Sequence, residues 1–326
     1  MSDGCRPESF DGFVGQEKPK RVLEILCRSA KRKGQPVCHT LLSGPPGLGK
    51  TTLARIVASE MGSRLVEVVA SNLQLPEQMV KQLTRLRALD VLFIDEGHSL
   101  NRNVEEVLYG ALEDNRISVA QSGYDDLMKG LGLGKKEPKT TMIELPPFTC
   151  IMATTLSGLV SDPLRSRFVQ VLQLEPYSDE ELTRIIMDAA GKMSFRIANG
   201  VALEVAKRSR STARNAIMNL RWLAEFCEGT GSKPGLASIN EAFSLKEIDP
   251  NGLTKVDMAY LSALVEAGEP LGLSTLAAST GESEETLAQA IEPFLIRKGY
   301  VRKGPRGRVA TGKAMEPANG KATRAA

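Results

Sequence analysis

The chain is organised around the stretch Gly44-Pro45-Pro46-Gly47-Leu48-Gly49-Lys50-Thr51. It matches the pattern G-x-x-x-x-G-K-[ST], in which glycines let backbone N–H groups curl around phosphate oxygens and the next helix directs its positive end at them. Residues 39–42 before it predict a short buried strand, and residues 52–58 after it have helical spacing. We therefore expect Lys50 to contact the β- and γ-phosphates of a nucleotide and Thr51 to bind Mg²⁺. A Gly/Pro turn that matches by chance is the alternative interpretation.

A second decisive stretch is Val91-Leu92-Phe93-Ile94-Asp95-Glu96. Four apolar residues in a row predict a strand buried on both faces of a parallel sheet. Ligands of such sheets bind at the carboxyl edge, where Asp95 and Glu96 emerge. We expect Asp95 to orient Mg²⁺ with its waters and Glu96 to polarise the water that attacks the γ-phosphate. A capped strand end without a catalytic role is the alternative.

Two further stretches are expected to bring polar groups to the same edge. Residues 148–155 predict a third buried strand that ends in hydroxyl side chains, which could contact the γ-phosphate or the attacking water. Arg165 and Arg167 precede a strand predicted at residues 169–172, and arginine suits the charge of a phosphoryl-transfer transition state. Taken alone, such an arginine pair is also typical of a solvated turn.

The middle of the chain changes character twice. Residues 118–141 are rich in glycine and lysine without a clear period, and they predict a surface hairpin with a flexible tip. Residues 177–245 have helical patterns throughout, and Arg214 falls in the first turn of a capped helix. A cation is unfavourable at the positive end of a helix, so an anionic group is expected to face it. A surface arginine without a ligand is the alternative.

The C-terminal part predicts a compact unit of three helices and a basic hairpin, which is the pattern of a winged helix. Six basic residues and no acidic one lie between positions 297 and 308. The Gly-Pro-x-Gly turn at residues 304–307 is expected to expose Arg306 and Arg308 at its tip, where they would contact the phosphates of nucleic acid. A solvated run of charges is the alternative. Residues 311–326 are rich in alanine, lysine and glycine, and they predict a disordered tail.

Composition limits the classes of protein that remain. A chain of 326 residues has room for two or three domains, and 42% hydrophobic with 25% charged residues is ordinary for a globular protein. Its apolar runs are too short to span a bilayer, and its N-terminus lacks a signal-peptide pattern. Five scattered cysteines without a C-x-x-C pair are typical of reduced thiols rather than a disulfide or zinc framework. These features predict a cytoplasmic protein that does not bind membranes.

Taken together, the motifs closely resemble those of the RuvB family, the AAA+ motors that drive Holliday-junction branch migration in bacteria. The resemblance runs from about Arg6 to Thr311. It rests on GPPGLGKTTLA at residues 44–54, VLFIDE at 91–96, LPPFT at 145–149, RSRF at 165–168 and PRGRVAT at 305–311. The pattern and the resemblance predict an α/β AAA+ ATPase domain (1–177) with a parallel P-loop sheet and flanking helices. A helical lid domain (178–249), a winged-helix DNA-binding domain (250–311) and a disordered tail (312–326) follow.

The resemblance also implies roles for single residues. Those expected to bind ATP and Mg²⁺ are Gly44, Gly47, Gly49, Lys50, Thr51, Thr52 and Asp95. Those that match further catalytic positions are Glu96 beside Asp95, Thr155 as sensor 1, Arg167 as the arginine finger of a neighbouring subunit and Arg165 as its support. Arg214 matches sensor 2, and Arg6 and Tyr177 match residues that border the nucleotide. Lys303, Arg306 and Arg308 match the wing that contacts DNA.

The family's motors form hexameric rings on duplex or junction DNA, and RuvA is their usual partner. Here residues 121–141 replace the compact hairpin that grips RuvA by a longer segment of different character, so a different adaptor remains an alternative. Gly97 stands where the family has an aliphatic residue, Ser99 replaces an arginine, and Ala213 replaces a proline. None of these changes removes a group needed for hydrolysis, so the resemblance implies an active ATPase; a divergent or accessory paralogue of the motor is the alternative.

Three functions remain after these arguments. The leading hypothesis is a ring-forming ATPase that moves duplex DNA and drives branch migration in recombination and repair. The second is a clamp-loader-like or initiator-like ATPase that remodels a protein on DNA without sustained translocation. The third is an ATP-gated DNA-binding module without hydrolysis, which the intact set of Lys50, Asp95, Glu96 and Thr155 argues against.

Overall fold

The computed structural model describes residues 3–120 and 140–315. The chain divides into two compact units, one formed by residues 1–181 with 212–214 and the other by residues 182–211 with 215–326. No helix in the described ranges has both the length and the hydropathy needed to span a bilayer.

The first unit is built on a five-stranded parallel sheet with the order β2-β3-β6-β1-β7. Its strands are β1 (Thr40–Ser43), β2 (Leu65–Val69), β3 (Val91–Asp95), β6 (Thr149–Thr154) and β7 (Gln170–Gln173). The helices of this part are α1 (Glu17–Lys33), α2 (Lys50–Met61), α3 (Pro76–Leu83), α4 (Arg102–Asp114) and the single turn α5 (Asp162–Arg165). The architecture is the doubly wound sheet that the alternation of apolar runs and helical segments predicts.

The strand order explains why a site can form at one edge of this sheet. β6 is buried along its whole length and lies between β1 and β3. The carboxyl end of β6 therefore emerges between the phosphate loop, which follows β1, and Asp95 at the end of β3. The backbone N–H of Gly44 donates to the carbonyl of Thr154 at 3.2 Å, which fixes the start of the loop against β6.

The segment after α4, predicted as a surface hairpin, begins and ends in two antiparallel strands. β4 (Arg116–Ala120) pairs with β5 (Thr140–Glu144), with Arg116 opposite Glu144. The expected flexible tip, residues 121–139, lies outside the described residues, and so does most of the expected tail, residues 316–326. Residues 312–314 belong to the folded part, because they form a helical turn and Ala314 is buried in the core of the second unit. The folded part therefore extends further towards the C-terminus than predicted.

The helix before β3 ends earlier than its sequence pattern. Residues 78–87 have helical spacing, but α3 runs only from Pro76 to Leu83. The carboxylate of Asp90 accepts the backbone N–H of Arg87 at 2.8 Å and the guanidinium of Arg64 at 2.6 Å. These bonds, together with the left-handed backbone of Leu89, turn the chain into β3 instead of continuing the helix.

The second unit contains helical segments followed by a winged helix. The segments are α6 (Asp179–Lys192, which begins in the first unit), α7 (Asn199–Lys207), α8 (Ala213–Thr230, whose first two residues belong to the first unit) and α9 (Leu236–Leu245). The winged helix comprises α10 (Lys255–Ala267), α11 (Leu273–Thr280), α12 (Glu284–Thr286), α13 (Glu292–Arg297), β8 (Val301–Gly304) and β9 (Gly307–Ala310). A π-helical turn, Leu287–Ile291, separates α12 from α13. The winged helix packs around a core of buried leucine and aromatic side chains.

Arg210 connects two parts of this second unit. Its guanidinium pairs with Asp257, which is fully buried at the start of α10, and lies 4.2 Å above the ring of Phe294. It also donates to the carbonyl of Ala290 at 3.0 Å, in the π-helical turn where the regular helix bonding is interrupted. A cation in this position compensates the charge of a carboxylate that would otherwise be costly to bury.

Candidate functional site

The phosphate loop has the backbone that its glycines permit. Gly44, Gly47 and Gly49 all have positive φ angles, of 141°, 81° and 99°. A Cβ at Gly44 would lie 2.6 Å from the carbonyl oxygen of Leu174, and a Cβ at Gly49 would lie 2.9 Å from the ring of Phe13. Larger residues would therefore be strained and would collide with neighbouring elements, so the loop shape depends on glycine at these positions.

Lys50 closes the loop from within. Its ammonium group donates to the carbonyls of Gly44 at 2.6 Å and of Pro45 at 3.0 Å, and the residue is only 6% exposed. Burial lowers the pKa of Lys50, while the carboxylates of Glu96 and Asp95 act in the opposite direction. A charged group held in this way by carbonyl oxygens is well placed to exchange them for phosphate oxygens, which compensate its charge better.

Asp95 and Glu96 emerge next to Thr155, because β3 and β6 are neighbours in the sheet. The hydroxyl of Thr155 donates to Oε2 of Glu96 at 3.1 Å, so the residue expected as sensor 1 orients the expected catalytic carboxylate. Oδ1 of Asp95 accepts the backbone N–H of Glu96 at 3.0 Å. Burial raises the pKa of Asp95, and a divalent cation beside it would offset that cost.

His98 is a member of this cluster that the sequence did not single out. Its Nδ1 lies 3.1 Å from the hydroxyl of Thr154 and 3.4 Å from Oε2 of Glu96. Glu96 itself has a left-handed backbone with φ of 53°, which turns the chain sharply into the helical turn Gly97–Ser99. The only sequence signal was the position of His98 two residues after Glu96, and a lone histidine there has no characteristic spacing.

Gly97 has a structural explanation. A Cβ at this position would overlap the thioether of Met152, which lies fully buried on β6. Met152 therefore occupies the space that an aliphatic side chain at position 97 would need. The departure from the family pattern at Gly97 is matched by this neighbour and leaves the carboxylates in place.

Tyr177 and the loop before α1 form one wall of the phosphate loop. The hydroxyl of Tyr177 donates to the carbonyl of Leu48 at 2.9 Å, and burial raises the pKa of this phenol. The side-chain amide of Gln16 exchanges two hydrogen bonds with the backbone of Glu175, at 2.6 and 3.0 Å. Residues 13–16 carry no recognisable motif, yet they pack against Gly49 and Tyr177.

The remaining residues predicted to bind the nucleotide have different degrees of exposure. Thr51 and Thr52 lie half-buried in the first turn of α2, and Arg6 is half-buried near the N-terminus. Arg214 is exposed, with its backbone N–H donating to the carbonyl of Gly47 at 3.3 Å. The start of α8 therefore lies directly against the phosphate loop, while the guanidinium remains available to a ligand.

Arg167 makes its contacts away from the carboxylate cluster. Its Nη1 donates to the carbonyl of Pro163 at 2.6 Å, and its Nη2 lies 3.1 Å from Oε1 of Glu113. The guanidinium also stacks 4.2 Å above the ring of Tyr109. Arg165, in contrast, is exposed.

The wing corrects one prediction. Lys303 and Arg306 are exposed, as expected for the hairpin tip, and so is Arg302. Arg308 is not at an exposed tip, because its guanidinium donates to both oxygens of buried Glu292, at 2.6 and 3.2 Å. Its backbone also pairs with Leu271, which forms a third, single-residue strand beside the wing.

The carboxylate of Glu292 determines the environment of Arg308. It is 3% exposed, and it also accepts the hydroxyl of Tyr260 at 2.9 Å. The hydrogen bonds that Arg308 donates to Glu292 raise the pKa of Arg308. Glu292 and Tyr260 lie 16 and 48 positions before Arg308 in the sequence. No local pattern could therefore indicate that this arginine pairs with a buried acid instead of facing solvent.

The geometry of the first unit fits a nucleoside triphosphate with Mg²⁺. A Cβ at any glycine of the phosphate loop would fill the space between the loop and its neighbours. The buried ammonium of Lys50 has no counter-anion within the loop, and the half-buried carboxylate of Asp95 interacts electrostatically with this ammonium. Thr51 and Asp95 are the residues that would hold the cation. Mg²⁺ is commonly bound by one or two protein oxygens together with substrate phosphates, which is what this donor set provides.

Comparisons with known proteins identify the family of the chain. Family models match residues 5–174 (Holliday junction DNA helicase RuvB P-loop domain), 177–249 (RuvB AAA lid domain) and 250–318 (RuvB C-terminal winged helix domain). A RuvB subunit of the Holliday junction branch migration complex, from Fervidobacterium nodosum, is 41% identical over 318 residues, 97% of this chain and 88% of the relative. The solved structure of the Thermotoga maritima RuvB branch migration motor is 38% identical, with a TM-score of 0.82 over 96% of this chain and 98% of that chain. A point mutant of the same protein gives a TM-score of 0.84 over 95% and 97%.

Proposed function

Because the chain belongs to the RuvB family and is an ATP-driven Holliday-junction branch-migration motor, we propose that its ATP site is completed by Arg167 of a neighbouring subunit in a ring. The observation that carries this proposal is the separation of two sets of groups in one chain. Lys50, Asp95 and Glu96 belong to one sheet edge, whereas Arg167 contacts α4 and Pro163. Hydrolysis then requires assembly, and a hexamer is the ring we propose.

Within one pocket, each residue has a defined task. Lys50 would exchange the carbonyls of its own loop for phosphate oxygens, and Thr51 and Asp95 are the residues that would hold Mg²⁺, which would supply positive charge beside the phosphates. Glu96 orients the attacking water and accepts its proton. The hydroxyl of Thr155 fixes the orientation of the Glu96 carboxylate through its hydrogen bond to Oε2. The carboxylate therefore does not need to reorganise when the substrate binds.

The transition state of phosphoryl transfer is stabilised by a further positive charge, and we assign this charge to Arg167 of the neighbouring subunit. Arginine donates two parallel hydrogen bonds to phosphate oxygens, which makes it better suited to this task than a lysine. Arg214 contributes from the same chain, because its backbone already lies against Gly47. Junction DNA is the substrate, and the ring translates turnover around its subunits into movement of the duplex.

The wing is the DNA-contacting element that we propose, with a changed set of residues. Arg302, Lys303 and Arg306 are exposed on the hairpin, and no acidic residue occurs between positions 297 and 308. Contacts from these side chains to phosphates would position the duplex without reading its sequence. Arg308 supports the wing from within through Glu292.

The wing assignment predicts a change in salt dependence. Replacing Lys303 and Arg306 together by alanine should weaken binding to all duplex sequences about equally and reduce the slope of log K against log[salt] by about 2, because two phosphate contacts are lost. Binding to fluorescently labelled duplexes, titrated at several salt concentrations, measures this slope. Lys255→Ala is the matched control, because this exposed lysine lies outside the wing. An unchanged slope in the double variant would remove DNA contact from the wing.

Arg308 is expected to affect stability instead. Arg308→Met should lower the free energy of unfolding by on the order of 3 kcal/mol, since it leaves the buried carboxylate of Glu292 without its cation. Chemical unfolding followed by the circular dichroism of the helices measures the loss. The salt slope of DNA binding, measured where the variant is still folded, should stay as in the parent protein. A large fall in that slope would return Arg308 to the DNA interface.

RuvA is the adaptor that the family suggests, and we propose a partner of this kind for the hairpin formed by β4 and β5. A branch-migration assay on a synthetic four-way junction, with and without RuvA, tests the function as a whole. Strand movement with ATP consumption supports a motor. Phosphate release without movement of the junction would favour an ATPase that remodels a protein on DNA.

A further inference from the structure

The finger residue, Arg167, contacts three different groups of its own chain. Glu113 pairs with one terminal nitrogen of Arg167 and Pro163 accepts from the other, while the face of the guanidinium covers the ring of Tyr109. The side chain of Arg167 is 19% exposed in this position. An arginine that is to act in a neighbouring pocket is therefore occupied in its own subunit.

The surface on which Arg167 lies is itself fixed. Glu105, Tyr109 and Glu113 are spaced by four residues and so share one side of α4. Oε2 of Glu105, a buried carboxylate, accepts the hydroxyls of Tyr109 at 3.0 Å and of Ser161 at 2.6 Å. Ser161 also caps α5, the turn that leads to the finger. The ring of Tyr109 is thus held in place, and α4 is tied to the segment that carries Arg167.

The ion pair between Arg167 and Glu113 is weak, and one nitrogen of the guanidinium has no hydrogen-bond partner among the described residues. The carboxylate side chain of Glu113 is 55% exposed, and ion pairs at such positions shift an equilibrium by only about two- to five-fold. Nε of Arg167 is buried without a hydrogen-bond partner among the residues described. A phosphate can use donors that this position leaves unsatisfied, and guanidinium–phosphate pairs are among the stronger hydrogen-bonded contacts.

We infer that Glu113, together with the ring of Tyr109, is a positioning residue that restrains the Arg167 finger in its own subunit until a neighbouring nucleotide competes for the guanidinium. The inference rests on the proposed role of Arg167 in a neighbouring pocket. It assigns to α4 a second task besides packing. The restraint lowers turnover in rings where the neighbouring phosphate is badly placed, because only a well-aligned γ-phosphate outcompetes the carboxylate.

Rings assembled from two different variants can test the finger of one subunit and the ATP pocket of its neighbour separately. Glu96→Gln subunits lack hydrolysis but present an intact finger, and Arg167→Ala subunits have an intact pocket but no finger. Mixing the two should restore turnover that neither protein has alone. Glu113→Gln in the finger-donating Glu96→Gln subunit should then raise the kcat of the mixture without DNA by about two- to five-fold, with KM for ATP unchanged, because the competing charge is gone.

The same substitution in the Arg167→Ala subunit should change nothing, since that subunit has no finger to restrain. Glu106→Gln is the matched control in the donor, because Glu106 lies on α4 with a similar exposure of 57% and pairs with Arg102 instead. An equal effect on both sides, or an unchanged or lower kcat with the donor variant, would overturn the restraint. If the parent mixture shows no restored turnover, the finger in trans fails first, and the restraint fails with it.

Discussion

Arg167→Ala should abolish ATP turnover while ATP still binds. Arginine fingers contribute about 10³- to 10⁵-fold to kcat, because they neutralise charge that appears only in the transition state. Lys50, Thr51 and Asp95 remain in the variant, so the affinity for ATP should change little. Phosphate release measured at saturating ATP, beside equilibrium binding of a fluorescent ATP analogue, gives the two quantities.

Arg102→Ala provides the control for Arg167→Ala. Arg102 is an exposed arginine at the start of α4 that pairs only with neighbouring Glu106 among the described residues. Its removal should leave both phosphate release and nucleotide binding as in the parent. Normal turnover in Arg167→Ala would end the assignment of this residue as the finger. Loss of nucleotide binding in that variant would instead indicate a direct role in the pocket of its own chain.

Glu96→Gln should trap bound ATP. The amide has the shape of the carboxylate and can still accept from Thr155, but it cannot take a proton from the attacking water. The loss of a general base lowers kcat by about 10²- to 10⁴-fold. Single-turnover quench experiments should show ATP bound and uncleaved, and the ring should accumulate on DNA in its ATP-bound form.

Thr155→Val is an informative companion to Glu96→Gln. The valine keeps the volume of the side chain but removes the hydroxyl that directs Oε2 of Glu96. Its turnover should fall between those of the parent and Glu96→Gln, since the carboxylate is present but less well oriented. Undiminished turnover in Glu96→Gln would show that another group activates the water, and His98, at 3.4 Å from the same oxygen, would be the first to examine.

The sheet edge could be predicted from sequence because its evidence is local. The apolar run at residues 91–94 is continuous and ends directly in two carboxylates, and the phosphate loop has a fixed glycine spacing. Parallel strands bring such ends together whatever the details of the helices. The meeting of Glu96 and Thr155 requires in addition that β3 and β6 are neighbours, which the local patterns do not reveal.

Other features depend on partners that are distant in the chain. The burial of Arg308 requires Glu292 and Tyr260, and the restraint of Arg167 requires side chains on α4 more than 50 positions earlier. A basic residue near a Gly-Pro turn has the same local pattern whether it faces solvent or a buried acid. Sequence reasoning therefore predicted the charge of the wing and the exposure of Arg306 correctly, but not the pairing of Arg308 with a buried acid.

The close fit between Gly97 and Met152 couples the residues that these two positions can hold. With the methionine in place, a branched side chain at position 97 meets a fully buried neighbour. An aliphatic residue introduced at position 97 alone therefore requires the thioether to move, whereas a smaller residue placed at position 152 in the same variant frees the volume that it needs.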